Sequence, residues 1–569
     1  MLSTQAPVLA NKTKMQHRLF AGLSQMFGRE VPLYDKSLLV NKVCNQAVVE
    51  LLSKLHPGFH LSDDQLDKTS GERHGAIRIG TPDEYRWVAG FFSAFDLEPH
   101  NFYDMTSLGA KSQPIIATAF RSPLNPEHRV FCSLLMVDGF RPEIRARVEK
   151  LLAGRQVFSQ RAKELVLKNE ENGGLEESEA EELIAEGVNR IFKWTGQARD
   201  YQLYKDLCDS GYKIAADIAC FDSHHLNHLT PNTFCIDLYT SAMKYCLGEW
   251  DSKAFQARAA KALRWLTSAA DKDYLKLHFR HLTFEDIDNF GDAPVSDQEI
   301  EKMAAALAER LGRPDLELSK LANAGFKDFT EGPPTGVPVL LRQDSYKALT
   351  EKVTFHEPDG STVDSVHTAR FGEIEQRFYA TTKQGRKLYD RSLADAEAAR
   401  GKNPGLAKQD YDAYLESYAQ AFAEFPQDLG GLLRKELAFG RYSATSDGIQ
   451  AAGSIGTTDI NKLVEAGFVR YEGVRYEDFL PFSAAGIFAS NLGQYGTETG
   501  VAEKPVYTAG TLEQIMGKPI VDPDVVYHAI QSESLLETYG ELGLLAKLDG
   551  TVLDELEKSA ANLKGVILT

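Results

Sequence analysis

"ERHGAIRIGTPDEYRWVAGFFSAF", residues 72–95, decides how the fold is read. A short β-like run, "GAIRIGT" (75–81), passes into "TPDEYRWVAGFFSAF" (81–95), whose apolar residues recur at helical spacing. Thr81 is placed to cap that helix and Pro82 to occupy its first position. Two further runs downstream, "PIIATAFRS" (114–122) and "HRVFCSLLMVD" (128–138), have the composition of strands. The series strand–helix–strand–strand predicts a compact α+β module with a mostly antiparallel sheet. The opening stretch also poses a chemical question. His74 stands directly ahead of the β run and Arg78 follows four residues later. Such a histidine is either an ordinary strand-edge residue or a metal ligand, with the arginine placed to hold an anionic substrate.

Beyond this module, helical patterning covers 13–28 and 36–56, and "LSDDQLD" (61–67) reads as a turn or short helix. Residues 141–194 are strongly helical and charged, their acidic run being a solvated helix face. A second β-rich part is expected from "YKIAADIACF" (212–221), "HLNHLTP" (225–231), "PVLLRQ" (338–343) and "HTARFGEIEQRFYAT" (367–381). It is interrupted by a polar helical insert and followed by a helical stretch over 384–440. The expected organisation is therefore four segments. Residues 1–246 carry the first module, its helical segment and the start of a second module; 247–330 form the insert. Residues 331–500 complete the α+β core, and 501–569 are a C-terminal extension. Two similar modules sharing one site are the architecture this order suggests.

Length and charge narrow the function. The 569 residues can bury a large core, and 43% hydrophobic with 25% charged residues is ordinary globular composition. A net charge of −18 disfavours non-specific binding to nucleic acid or to an anionic membrane. An acidic substrate would need a local basic pocket. The six cysteines form no CxxC pair and do not suggest a disulfide framework. Cys220, Cys235 and Cys246 flank a histidine cluster, but their apolar company favours buried thiols over thiolate ligands. No apolar run approaches the ~20 residues of a membrane span. The basic, acid-free first 28 residues read better as a first amphipathic helix than as a transit peptide, so a cytoplasmic location is expected.

Three stretches carry polar groups that are hard to place on a surface. His74 opens the first; "DSHHLNHLTP" (222–231) brings His224, His225 and His228 close together; "FGEIEQR" (371–377) alternates Glu373, Glu375 and Arg377 with other residues. On a strand these last three share a face, which is either solvated or turned into the concavity of a sheet, where one carboxylate becomes a hard metal ligand. Thr230–Pro231 favours an extended segment for the histidines, so only one of His225 and His228 should reach a shared metal. His228 is preferred, with Asn227 and Thr230 near enough to support it by hydrogen bonds. Two imidazoles and a carboxylate leave coordination positions open and suit Fe(II) oxygen chemistry, with Zn(II) or Mn(II) as alternatives. GxxxxGK[ST], HExxH, GxSxG and a GxGxxG following a strand are all absent.

"ERHGAIRIGT", "NHLTP", "EGPP", "VLLRQ", "HTARFGEIEQR" and "YEDFLPFSAAGIF" (476–488) together resemble the 2-oxoadipate dioxygenase/decarboxylase family, in order over roughly 13–495. The resemblance implies a vicinal-oxygen-chelate-like fold, with paired βαβββ modules curved around one metal and extensive helical embellishment. It implies conversion of 2-oxoadipate and O2 to D-2-hydroxyglutarate and CO2, a step of lysine catabolism. The family's metal ligands carry over to His74, His228 and Glu373, which would hold Fe(II). Its substrate-binding arginine carries over to Arg78, and its substrate loop to Phe482 and Ser483. Glu375 is then left to a supporting role or to pairing with Arg377. Asn232, Phe378 and Phe482 depart from the family pattern, and the last leaves the preferred chain length of the 2-oxo acid open. Two rivals remain: a non-redox metal-dependent lyase or isomerase on the same scaffold, and a metal-binding protein without turnover. Neither oligomeric state nor the insert's role is legible.

Overall fold

The computed structural model describes residues 8–106, 112–122, 128–326, 330–480 and 506–567. Its centre is a five-stranded sheet in the order β2-β3-β4-β1-β6, formed by β1 (Glu72–Ile79), β2 (Glu98–Asp104), β3 (Ile115–Arg121), β4 (Arg129–Leu135) and β6 (His228–Pro231). β1 runs parallel to β4, and every other pairing in this sheet is antiparallel. Between β1 and β2 lies α3 (Pro82–Ser93), started by a capping box in which Thr81 accepts from the Glu84 backbone and Glu84 accepts from Thr81. The first module is thus β–α–β–β–β.

One strand of it escaped the sequence pattern. β2, "EPHNFYD", contains Pro99 and a left-handed Asn101 (φ 62°), and its register shifts between His100 and Phe102. A bulge of this kind breaks the two-residue alternation on which strand recognition relies. A second expectation is corrected outright. "YKIAADIACF" is not a strand: Lys213–Cys220 is a helix, α4. Four of its eight residues are Ala or Cys and all but Lys213 are buried, so apolar content there reflects a helix enclosed on all sides.

Alternation on the sheet divides two environments. Ile77 and Ile79 of β1, Ile116 and Phe120 of β3, and Val130, Cys132 and Leu134 of β4 pack into a large core. Opposing them are α1 (Lys12–Glu30), α2 (Pro32–Leu55) and α3. Within residues 247–330, α5 (Ser252–Ala269) and α6 (Asp297–Leu311) join the same core and contribute Leu263, Leu266, Ile300 and Leu307. The other sheet face carries Ala76, Ala117, Ala119 and Phe131 together with α4. His74 and Arg78 have the same parity as Ala76, so they belong to that second face.

The later strands form smaller sheets. β7 (Leu341–Ser345) pairs antiparallel with β10 (Glu373–Arg377). β8 (Thr350–His356) and β9 (Thr362–Thr368) join the short β5 (Gln197–Arg199), and β11 (Gly440–Ala444) pairs with β12 (Val469–Gly473). A bridge from Asn232 to Glu375, reinforced by the Thr233 amide donating to the Glu375 carbonyl at 2.9 Å, ties β10 to the end of β6. The α+β class therefore holds, with one full β–α–β–β–β unit and the remaining strands split between small sheets. No helix among the described residues is long and apolar enough to cross a membrane.

Candidate metal centre

Where β1, β6 and β10 meet, His74, His228 and Glu373 bring one potential ligand atom each to within 4.8 Å of one another. All three are at most 1% exposed. Strand register explains the convergence. Thr230 lies opposite His74 and His228 opposite Ala76, so both histidines project from the same sheet face, with a small side chain leaving space between them. Gly75 permits the close approach of the two strands, since a Cβ there would stand 2.9 Å from the Leu229 side chain and 3.2 Å from that of Leu226. Gly372 plays the same part for Glu373, because a Cβ on it would collide with the Tyr346 hydroxyl.

Nε2 of His74 and Nε2 of His228 each lie 3.5 Å from Oε2 of Glu373. With metal–ligand bonds of ~2.1 Å, neighbouring donors stand roughly 3.0 Å apart around an octahedral ion and 3.4 Å around a tetrahedral one. The observed spacing fits a divalent cation between them. Two imidazoles and one carboxylate, all withdrawn from water, form the donor set that suits iron, zinc or manganese.

The groups behind the ligands orient them. Nδ1 of His74 lies 3.0 Å from Oε2 of Glu375, the carboxylate–histidine arrangement that directs the opposite ring nitrogen toward a metal. Glu375 is itself gripped by Arg377, with Nε and Nη2 donating at 2.7 and 2.9 Å, and has Arg129 Nη1 at 3.5 Å. Burial would push the Glu375 carboxyl up, but Arg377, His74 and Arg129 hold it well below the usual carboxylate range. Both roles expected for Glu375 are therefore combined. Its face of β10 points inward, not to solvent. Glu373 receives the Thr230 hydroxyl at 3.0 Å on Oε2 and the Gln343 amide at 3.4 Å on Oε1. The sequence leads us to expect Thr230 to support His228; its hydroxyl goes instead to the Glu373 carboxylate. Thr230→Val, which keeps the shape and deletes the donor, is expected to weaken metal binding by roughly 10- to 100-fold. Competitive titration with a chelator measures this; unchanged affinity would remove Thr230 from the site.

Apolar rings close the site. Phe479 meets His74 edge-on with centroids 4.8 Å apart, and Phe371 stacks on His228 at 5.1 Å. Phe479 follows a run held from several sides: Arg377 donates to the carbonyls of Tyr476 and Asp478, Arg129 pairs with Glu477, and Tyr527 donates to Asp478 at 2.6 Å. Phe482 and Ser483, expected in the substrate loop, lie outside the described residues.

Arg78 follows His74 along the same face and its side chain is 10% exposed. Its Nη1 donates to Asp217 at 2.5 Å. His225, the alternative to His228, turns away from the triad: its Nε2 lies 3.2 Å from Asp217 Oδ1. Asp217 was not anticipated, although a lone acid in the apolar "IAADIACF" was a signal. His224 is also buried away from the triad, and burial lowers its imidazole to about 4. The cysteines take no part in the cluster; burial pushes the Cys235 and Cys246 thiols up to about 12, and that of Cys220 well above the usual thiol range. Two departures from the family pattern have structural uses. Asn232 donates to the Thr69 carbonyl at 3.3 Å, and Phe378 is buried in the core beneath β7 and β10.

Known proteins resemble the chain over most of its length. The family model for 2-oxoadipate dioxygenase/decarboxylase matches residues 19–249 and 245–491. A 2-oxoadipate dioxygenase/decarboxylase of Pseudomonas putida is 34% identical over 483 residues, covering 83% of this chain and 85% of that protein. One from Escherichia coli is 31% identical over 530 residues, covering 92% and 97%. Among solved structures, the hydroxyglutarate synthase of Pseudomonas putida in complex with 2-oxoadipate superposes with a TM-score of 0.63 at 30% identity, covering 95% of this chain and all of that one.

Proposed function

Because the chain belongs to the 2-oxoadipate dioxygenase/decarboxylase family, we propose that it converts 2-oxoadipate and O2 to D-2-hydroxyglutarate and CO2, with Fe(II) held by His74, His228 and Glu373. The observation that carries the reading is a buried two-histidine, one-carboxylate cluster with an arginine on the same strand face. When bound, Fe(II) would supply O2 activation and a coordination position for a 2-oxo acid.

The protein's own part is to bind, orient and keep the site dry. Glu375 takes the Nδ1 side of His74, so that the Nε2 lone pair faces the cluster. The Thr230 hydroxyl and the Gln343 amide fix the plane of the Glu373 carboxylate. Phe371 and Phe479 cover the two imidazoles and exclude water. Arg78 supplies the local positive charge that an acidic protein needs for an anionic substrate. A guanidinium binds a carboxylate through a planar fork, a charge-assisted contact worth roughly 1.5–3 kcal/mol, or about tenfold to a hundredfold in binding.

Two measurements test this. Protein stripped of metal and reloaded anaerobically with Fe(II), Mn(II) or Zn(II) should turn over 2-oxoadipate in air only with iron, and mass spectrometry should identify 2-hydroxyglutarate. Equal turnover with Zn(II) would remove the redox role. Arg78→Lys should keep its metal and raise KM for 2-oxoadipate about tenfold, since a point charge replaces the fork. Unchanged kinetics would mean that Arg78 serves the strand and not the substrate.

A further inference from the structure

Asp217 is a carboxylate in an expensive place. It is 2% exposed, on a helix whose neighbours are Ala, Ile and Cys. A lone buried charge costs several kcal/mol unless it is paired and hydrogen-bonded. Here Oδ2 accepts hydrogen bonds and Oδ1 faces two imidazole nitrogens at close range. Oδ2 receives Arg78 Nη1 at 2.5 Å and the Asn227 amide at 3.3 Å. Oδ1 has His225 Nε2 at 3.2 Å and His367 Nε2 at 2.9 Å. His367 is held from its other nitrogen by the Tyr204 hydroxyl at 2.8 Å, and Trp194 packs edge-on against His225 and stacks over His367.

These partners come from separate parts of the chain. Arg78 is on β1, His225 and Asn227 lead into β6, and His367 is on β9. Asn227 immediately precedes the ligand His228, and its backbone N–H donates to the Ala76 carbonyl at 2.9 Å. One carboxylate therefore joins the strand carrying the arginine to the turn carrying the second histidine. A well-packed apolar cluster would stabilise this corner as well or better. What an ionised group adds is direction. A guanidinium has five N–H donors in a rigid plane, so anchoring Nη1 sets the orientation of the whole fork.

We infer that Asp217 is a positioning residue for substrate recognition: by holding Nη1 it fixes the Arg78 guanidinium for the carboxylate of 2-oxoadipate, while His225 and His367 hold Asp217 in turn. It touches neither substrate nor metal. The inference rests on the reading of Arg78 as the substrate-binding arginine and adds a residue that acts through it.

The test uses the full-length, Fe(II)-loaded protein with Asp217→Asn, Arg78→Ala and the double variant. Asp217→Asn should retain its metal and raise KM for 2-oxoadipate by about tenfold, with kcat changed by less than about threefold. In the Arg78→Ala background the same substitution should no longer raise KM, because the group through which it acts is gone. An equal rise in both backgrounds, or no rise in the parent, would overturn the inference. Should Asp217→Asn fail to fold, His367→Gln and His225→Gln loosen the carboxylate from its other side. Each should raise KM by a smaller factor, and parental KM in both would overturn it equally. A wild-type protein inert on 2-oxoadipate, or Arg78→Ala with parental KM, would remove the substrate reading and this inference together. A clear Arg78 effect without an Asp217 effect would remove the inference alone.

Discussion

Replacing Glu373, His74 or His228 by alanine is expected to reduce bound metal to background while leaving a folded protein. Each change removes one of three protein donors. The loss should exceed the roughly 10- to 100-fold expected when only a supporting hydrogen bond is deleted. Turnover should vanish with the metal. The three side chains sit together with spacings of 3.5 Å between histidine nitrogens and the carboxylate, so no single donor can be spared without opening the cluster. Thermal unfolding gives a second readout: a ligand that binds only the native state raises its stability, so adding metal should raise the wild-type Tm and leave the Tm of all three variants unmoved. Retention of metal by Glu373→Ala would transfer the carboxylate role to another group.

Glu375→Ala should behave differently. Its dominant effect should be on stability, because the substitution leaves Arg377 buried without its principal carboxylate and takes a partner from Arg129 as well. Breaking a buried ion pair by removing one partner costs about 3–5 kcal/mol. The carboxylate is held well below its usual range, so its contribution is complete above the unfolded carboxylate range. As pH falls through the lowered value that contribution disappears. The penalty of the substitution should therefore be full at neutral pH and shrink in strong acid. Metal binding should weaken by roughly 10- to 100-fold, through lost orientation of His74, without being abolished. Denaturant titrations at neutral and acidic pH, each without metal, measure the stability term. A variant as stable as the parent would contradict the ion-pair account.

The difference between Glu373 and Glu375 marks how far the sequence could be read. Alternation on a strand put both on one face, which the structure bears out, but periodicity cannot say which carboxylate meets the histidines. That is decided by the alignment of β10 against β6, set by the Asn232–Glu375 bridge across 143 residues of chain. An extended segment turns residues three apart to opposite sides, so only one of His225 and His228 was expected in the cluster; the hydrogen bonds from Asn227 and Thr230 on which His228 was preferred go instead to Asp217 and Glu373. The helix after Thr81 was legible from its capping chemistry. What failed were elements whose pattern is shaped by tertiary surroundings. β2 is bulged and carries Pro99, and α4 is buried on every side and so lacks a polar stripe. Misreading α4 as a strand also hid Asp217, whose partners lie at Arg78, Asn227, His225 and His367. The support of Phe479 was equally out of reach, since Arg129 and Glu477 are 348 residues apart.

The most direct test of the account follows both atoms of dioxygen. Fe(II)-loaded protein given 2-oxoadipate under 18O2 should consume one O2 and release one CO2 per 2-oxoadipate, with 2-hydroxyglutarate as the only organic product. One labelled oxygen should enter the new carboxylate and the other the new hydroxyl of the same molecule. Glutarate as the main product would show that oxygen never reaches the neighbouring carbon. Turnover under nitrogen would contradict the oxygenase reading altogether and assign the site to a non-redox lyase or isomerase.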